Sequence, residues 1–214
     1  MQADPAGRQM GRPRDARADR AILDTTLDLI AERGVHAFRT EDVAARAGVG
    51  KGAIYRRYRS KDALVAAAVA ALVREEISLP DTGSTRGDLL VLMREAVKLY
   101  SSSLPARLMP NLVGAMAEHP ELARAVREDF LAGRRSALSE VLRRGVERGD
   151  LHPDLDLELA LDALGGPLFY RLLVTGGPLD EQLAEGVADL ILRGFAPDEH
   201  RHATSTSKRK EQPR

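Results

Sequence analysis

Thr40-Glu41-Asp42-Val43-Ala44-Ala45-Arg46-Ala47-Gly48-Val49-Gly50-Lys51-Gly52-Ala53-Ile54-Tyr55-Arg56-Arg57-Tyr58 is the stretch that decides the fold. Thr40 has the chemistry of a helix N-cap, and Glu41 and Asp42 suit the positive end of the helix dipole in its first turn. Val43, Ala44 and Ala47 then recur on one helical face. Gly48-Val49-Gly50 breaks the pattern, and Gly48 is where a left-handed backbone is tolerated. A second short helix follows from Lys51, with Ile54 facing inward and Lys51, Gly52, Tyr55, Arg56 and Arg59 on the other side. A capped helix, a tight glycine turn and a short cationic helix are the parts of a helix-turn-helix, in which the second helix enters the major groove.

The residue types assign roles within that unit. Lys51, Tyr55 and Tyr58 suit phosphate oxygens, as does the hydroxyl of Thr40 at a helix N-terminus. Arg56 can read guanine bidentately, and Ala53 can touch a thymine methyl. Gly52 and Ala53 carry no bulk, so the helix can approach its target closely. Upstream, Met10-Gly11-Arg12-Pro13-Arg14 places Arg12 and Arg14 in an arm suited to a narrow minor groove. The same arm also reads as a basic tail without a specific contact.

Working outward, the rest of the chain is helical in pattern, about nine helices in all, an all-α fold. Residues 1–18 form a flexible basic arm and 19–62 the DNA-binding unit. A helical body spans 63–197, and a disordered tail spans 198–214. Helix 1 covers about Asp19 to Arg33 and stops at Gly34. Ser60 caps a fourth helix whose apolar run, Ala63–Val73, goes all the way round and so needs cover on every side. Pro110 is expected to kink or restart the sixth helix. A long seventh helix opens at Pro120 and ends at Gly149. Asp156 caps the eighth helix, which Pro167 should bend, and Asp180 opens the ninth.

Charge and composition narrow the function. The 214 residues sum to zero net charge, but 1–60 carry 12 Lys/Arg against 8 Asp/Glu and 61–197 carry 15 against 21. A basic end can therefore meet phosphates while the middle is acidic. Apolar residues make up 43% of the chain, enough for a real core. The absence of Cys removes disulfides, thiolate zinc sites and Cys nucleophiles. No apolar run suits a signal peptide or a membrane span, which points to a soluble cytoplasmic protein. None of the five His lies in H-E-x-x-H, and there is no G-x-S-x-G, P-loop or G-x-G-x-x-G, so catalysis is not expected and no cofactor is called for. His119, just before Pro120, reads as a cap or surface residue. The rival to a DNA-binding regulator is a helical protein-binding adaptor that has lost DNA, against which Lys51, Tyr55, Arg56 and Lys61 all speak.

The segment Ile22–Leu64 resembles the DNA-binding domain of the tetracycline-repressor (TetR) family of bacterial regulators. The marks are Glu32-Arg33-Gly34, Thr40 with Val43-Ala44, Ala47-Gly48-Val49, Lys51-Gly52, Ile54-Tyr55-Arg56 and Ser60-Lys61-Asp62-Ala63-Leu64. Gly50 stands where the family usually has a capping Ser, Arg57-Tyr58 where His-Phe is common, and Arg59 where Pro is frequent. The last two departures add cation and hydroxyl, and so favour non-specific affinity. The resemblance implies a homodimer through the last two helices and a small-molecule effector pocket between helices 4 and 8. It also implies a repressor released from a palindromic, double-stranded operator when the effector moves helix 4.

Two residue sets follow for the body. Leu164, Leu168, Leu172, Leu183, Val187 and Leu190 are the dimer-interface candidates on the last two helices. Met93, Tyr100, Met109, Met116, Phe130 and Phe169 are candidates for lining the pocket, although Met and aromatic residues at this spacing also fit plain core.

Overall fold

The computed structural model describes residues 13–72, 78–101 and 103–197, and nine helices run through them. They are α1 (Pro13–Ala37), α2 (Thr40–Ala47), α3 (Lys51–Tyr55), α4 (Lys61–Ala71), α5 (Thr85–Ser101) and α6 (Ser103–Ala115). Helix α7 opens as Pro120–Arg124, passes through a π-helical stretch Ala125–Leu131 and continues as Ala132–Glu147. Helix α8 runs Leu157–Tyr170 with a π-helical end Arg171–Thr175, and α9 is Glu181–Gly194. No strand occurs among the described residues. The fold is all-α.

Helix α1 starts at Pro13, ahead of the expected Asp19, so residues 13–18 belong to a helix rather than to a free arm. Pro in the first turn carries the right φ and lacks only a donor that would be orphaned anyway, and the Asp-Ala-Arg-Ala-Asp-Arg run that follows is helix-compatible. Arg57 of the turn after α3 donates through Nε to the Asp19 carboxylate, which ties α1 to that turn just beyond the extension. At the other end Gly34 takes φ 80° and interrupts the helical path, as the sequence predicts.

Helix α2 departs from expectation at its cap. Arg39 holds the extended N-cap position, and its N–H is taken at 2.7 Å by the Asp42 carboxylate. Thr40 is the first helical residue, so its hydroxyl is not the cap. Ser60 and Asp156 cap as predicted, and Asp180, where the ninth helix is expected to open, caps as well, each accepting from a backbone N–H three residues on at 3.0 Å. Pro110 does not end α6. The helix runs on through the ring to Ala115 although Pro110 cannot donate to the turn before it, and the neighbouring Asn111 amide donates to the carbonyls of Arg107 at 3.0 Å and Ile30 at 3.1 Å, the second of which ties α6 to α1. Likewise α8 continues through Pro167.

A single contiguous core joins the two halves. Ile22, Leu29, Ile30, Phe38, Val43 and Ile54 close the first three helices on one another, and Leu64, Val65, Ala68 and Val69 of α4 continue that core into the body. Helix α4 packs on α1 from one side and on the first half of α7 from the other. This is the cover that its all-round apolar surface demands. Helices α5 and α9 pack together and are tied at their rims by Arg86 to Asp189 at 2.8 Å and Arg94 Nε to Glu181 at 2.6 Å. Buried Asp88 at the start of α5 accepts from Thr82 N at 2.6 Å, Thr82 Oγ1 at 2.8 Å and Arg148 Nη1 at 3.0 Å, which joins α5 to the end of α7.

Candidate nucleic-acid interface and effector cavity

The turn between α2 and α3 is built on Gly48, at φ 66° and ψ 31°, a left-handed conformation that costs a side chain roughly 1–2 kcal/mol. Its N–H closes on the Ala44 carbonyl, and Val49 packs partly against the core behind it. Ile54 is 1% exposed and fixes α3 from inside. Arg46 holds α2 on α1 by two 2.8 Å bonds to the Glu32 carboxylate. The outer face of α3 is thus set rigidly, as close contact with a groove requires.

On that face Tyr55 is 47% exposed, and Lys51, Gly52 and Arg56 are exposed as well, with Ala53 half-buried. Arg56 forms no ion pair among the described residues. Lys51 is paired with Glu41 across the start of the two helices, and the pair raises the Lys51 pKa and lowers that of Glu41. A phosphate that takes Lys51 must compete with this carboxylate.

Four expected contacts sit differently. Thr40 is nearly buried. Tyr58 packs partly against the core. Lys61 donates to the His36 carbonyl at 3.1 Å and lies 4.4 Å over the Phe38 ring, so one of its three donors is committed inside the domain, and burial lowers its pKa. Arg57, which sequence reading turns toward non-specific affinity, is spent on Asp19 and on the Ala53 carbonyl at 2.9 Å. Arg14 lies in the first turn of α1, and Arg12 lies outside the described residues.

The body holds a half-open cavity of about 390 Å³ between α5, α7 and α8. Met93, Tyr100 and Phe169 line it, as expected from the sequence. Met109, Met116 and Phe130 do not. Met109 and Phe130 are buried in the core, where Phe130 carries the Arg134 guanidinium 4.9 Å from its ring centre. Leu92, Leu131, Leu138, Leu161, Leu164 and Leu168 add to the apolar wall, with Glu95, Arg134, Arg135 and Asp162 as its polar points. The Tyr100 and Phe169 rings meet at 5.3 Å, and burial pushes the Tyr100 phenol up to about 12, so it stays neutral. These polar wall residues escape sequence reading because Arg and Glu on amphipathic helices look like solvated surface. The cavity lies against α7 rather than α4, and the π-helical stretch of α7 that packs on α4 leads directly into its wall at Leu131.

The dimer candidates need revision. Leu164, Leu168, Leu183 and Val187 are at most 6% exposed within one protomer, so they hold α8 and α9 to the body and leave nothing for a partner. Leu172 is half-buried. Leu190, by contrast, is 55% exposed. The outward apolar side chains on these helices are Leu159, Tyr170, Leu173, Val174 and Leu190.

Comparison with known proteins agrees with this architecture. Residues 22–68 match the family model described as bacterial regulatory proteins, tetR family, and residues 79–191 match the tetracyclin repressor-like C-terminal domain. The HTH-type transcriptional regulator YdeS of Bacillus subtilis is 32% identical over 185 residues, covering 86% of this chain and 91% of that protein. The DNA-binding transcriptional repressor TetR of Mycobacteroides abscessus is 33% identical over 175 residues, covering 80% of this chain and 90% of that protein. Among solved structures, the TetR family transcription regulator SCO0332 superposes with a TM-score of 0.64 at 30% identity, over 85% of this chain and all of that one. No helix among the described residues is long and apolar enough to cross a membrane. With a family match at both ends, relatives above 30% identity and a rigid cationic recognition helix, this chain belongs to the tetR family of bacterial transcriptional regulators, a helix-turn-helix DNA-binding group and not an enzyme class.

Proposed function

We propose that the protein is a homodimeric repressor that leaves a palindromic operator when an apolar small molecule enters the α5–α7–α8 cavity. The observation that carries this reading is the position of α4. It is wedged between α1 of the DNA-binding unit and the part of α7 that runs into the cavity wall. A ligand that pushes on Leu131 or Arg134 displaces α7, and α4 has no free side on which to absorb the shift. A ligand that binds the DNA-incompetent state a hundredfold better supplies about 2.7 kcal/mol, which one such pocket can deliver. The wall chemistry suits a mostly hydrocarbon ligand with one polar group that Arg134 or Arg135 can meet. The Bacillus subtilis regulator FadR, solved with stearoyl-CoA, shares the fold with a TM-score of 0.69 at 21% identity.

The second copy docks on the outer face of α8 and α9. Leu159, Gly166, Tyr170 and Leu173 recur at helical spacing on α8, and Gly186 and Leu190 share a face of α9. Gly186 leaves open space where a side chain would stand, so a helix of the partner can come close. An apolar patch of this kind on a soluble chain marks an interface. The reading is tested by the pair Tyr170→Glu and Leu190→Glu, with mass measured by light scattering. A helical monomer with weakened operator binding supports it. A dimer of unchanged mass places the interface elsewhere.

A further inference from the structure

We propose that His36, Glu118 and His119 form a binding site for a transition-metal dication of the zinc type, which clamps the DNA-binding unit to the body. The three residues come from separate places. His36 is in the last turn of α1, beyond the break at Gly34. Glu118 and His119 close the turn after α6, where both their N–H groups meet the Ala115 carbonyl at 3.1 Å, immediately before Pro120 opens α7. Each offers one ligand atom, and those atoms lie within 4.8 Å of one another. His36 Nε2 and the Glu118 carboxylate are 3.9 Å apart, and the two imidazole rings converge at 5.0 Å. Ligands around a zinc ion at about 2.0–2.2 Å sit in this range of mutual separation after small rotamer changes. His36 and Glu118 are exposed and free to make those changes.

The decisive feature is His119. It holds the N-cap position of α7, as the sequence suggests, but its side chain makes no cap bond and turns inward rather than to the surface. Its side chain is 18% exposed, and neither ring nitrogen has a hydrogen-bond partner among the described residues. Asp62 Oδ1 stands 3.0 Å from Nδ1, off the direction of a proper bond. A buried imidazole with both nitrogens unsatisfied is costly, and coordination at one nitrogen with a carboxylate at the other is a recurring resolution of it. Asp62 is the first-turn acid of α4, so the carboxylate that would orient the ring also comes from a third element. Two imidazoles and one carboxylate without a thiolate select zinc, nickel, cobalt or copper(II) over magnesium and calcium. Water completes the coordination. Bound there, the ion ties α1 to the joint between α6 and α7 and fixes the angle of the recognition helix on the body.

The test is calorimetric titration of the untagged full-length protein with zinc chloride, repeated with His36→Ala, Glu118→Ala and His119→Ala. The expected result is one ion per protomer with micromolar or tighter affinity, a raised melting temperature, and at least a tenfold loss in each variant. His36 and Glu118 are exposed, so their variants keep the fold if His119→Ala does not. Cobalt titration should give the visible absorption of a tetrahedral or five-coordinate site in the parent alone. Absence of stoichiometric binding overturns the proposal. So does binding of equal strength in His36→Ala, which would assign the ion to the histidines of the C-terminal segment.

Discussion

Replacing Glu41 by Gln should tighten DNA binding. In the structure Glu41 holds the Lys51 ammonium, and both groups are about half exposed on the face that α3 presents. In the parent protein a phosphate must displace this carboxylate and then tolerate it nearby. Gln keeps the shape and removes both penalties. Each phosphate neutralised adds about 0.9 to the slope of log K against log salt, and at 0.1 M salt that corresponds to about eightfold in the association constant per contact relative to 1 M. The variant should therefore bind up to about eightfold more tightly per engaged protomer at 0.1 M salt, with a steeper salt slope. The gain should vanish by 1 M. Stability should hardly change, because exposed ion pairs contribute little. Fluorescence anisotropy of a labelled duplex over a salt series measures both quantities. Lys51→Ala is the control, since it should weaken binding and erase the effect of Glu41→Gln. Equal affinity of parent and Glu41→Gln, or a gain that persists in the Lys51→Ala background, would refute the placement of Lys51 against phosphate.

Other expectations concern the body. Burial pushes the Asp88 carboxylate up, but its bonds from Thr82 and Arg148 outweigh this and hold it below the ordinary carboxylate range. A depressed folded-state pKa gives stability that is complete above the unfolded value and is lost as pH falls through the folded one. Arg148→Ala should lower stability at neutral pH by about 2 kcal/mol and flatten the acid limb of a denaturation profile, because a charged hydrogen bond to a buried group is removed. Gly165 borders the cavity with open space at its Cβ position. Gly165→Met should fill it, abolishing the fluorescence gain of an apolar dye such as anilinonaphthalene sulfonate while leaving DNA affinity unchanged.

The fold was legible in the chain wherever the signal is local. The Gly48 turn, the Ser60, Asp156 and Asp180 caps, and the Gly34 and Gly149 stops each depend on a few adjacent residues. The all-round apolar face of α4 announced its double cover. Misreadings arose where a distant partner decides. Arg57 and Lys61 read as surface cations in the sequence, and only the fold brings Asp19 to Arg57 and the His36 carbonyl to one donor of Lys61. Asp88 and Arg148 are far apart in sequence, and nothing local pairs them. The leucine stripes of α8 and α9 are periodic for both of their faces, so periodicity alone could not separate the face packed on the body from the one left for a partner. Pro110 reads as a break on local rules, but the helix is held from outside by its packing on α1, including the Asn111 amide on the Ile30 carbonyl.

The central claim is that the outer face of α3 reads duplex DNA. It is tested most directly by selecting duplexes from a random pool with the purified full chain, then comparing parent and Arg56→Ala on the winning site over a salt series. The account predicts a palindromic site, a log K that falls linearly with log salt, and relaxed discrimination at one base pair per half-site in Arg56→Ala. Failure to enrich any site, or an affinity that ignores salt and is untouched by Arg56→Ala, would contradict it.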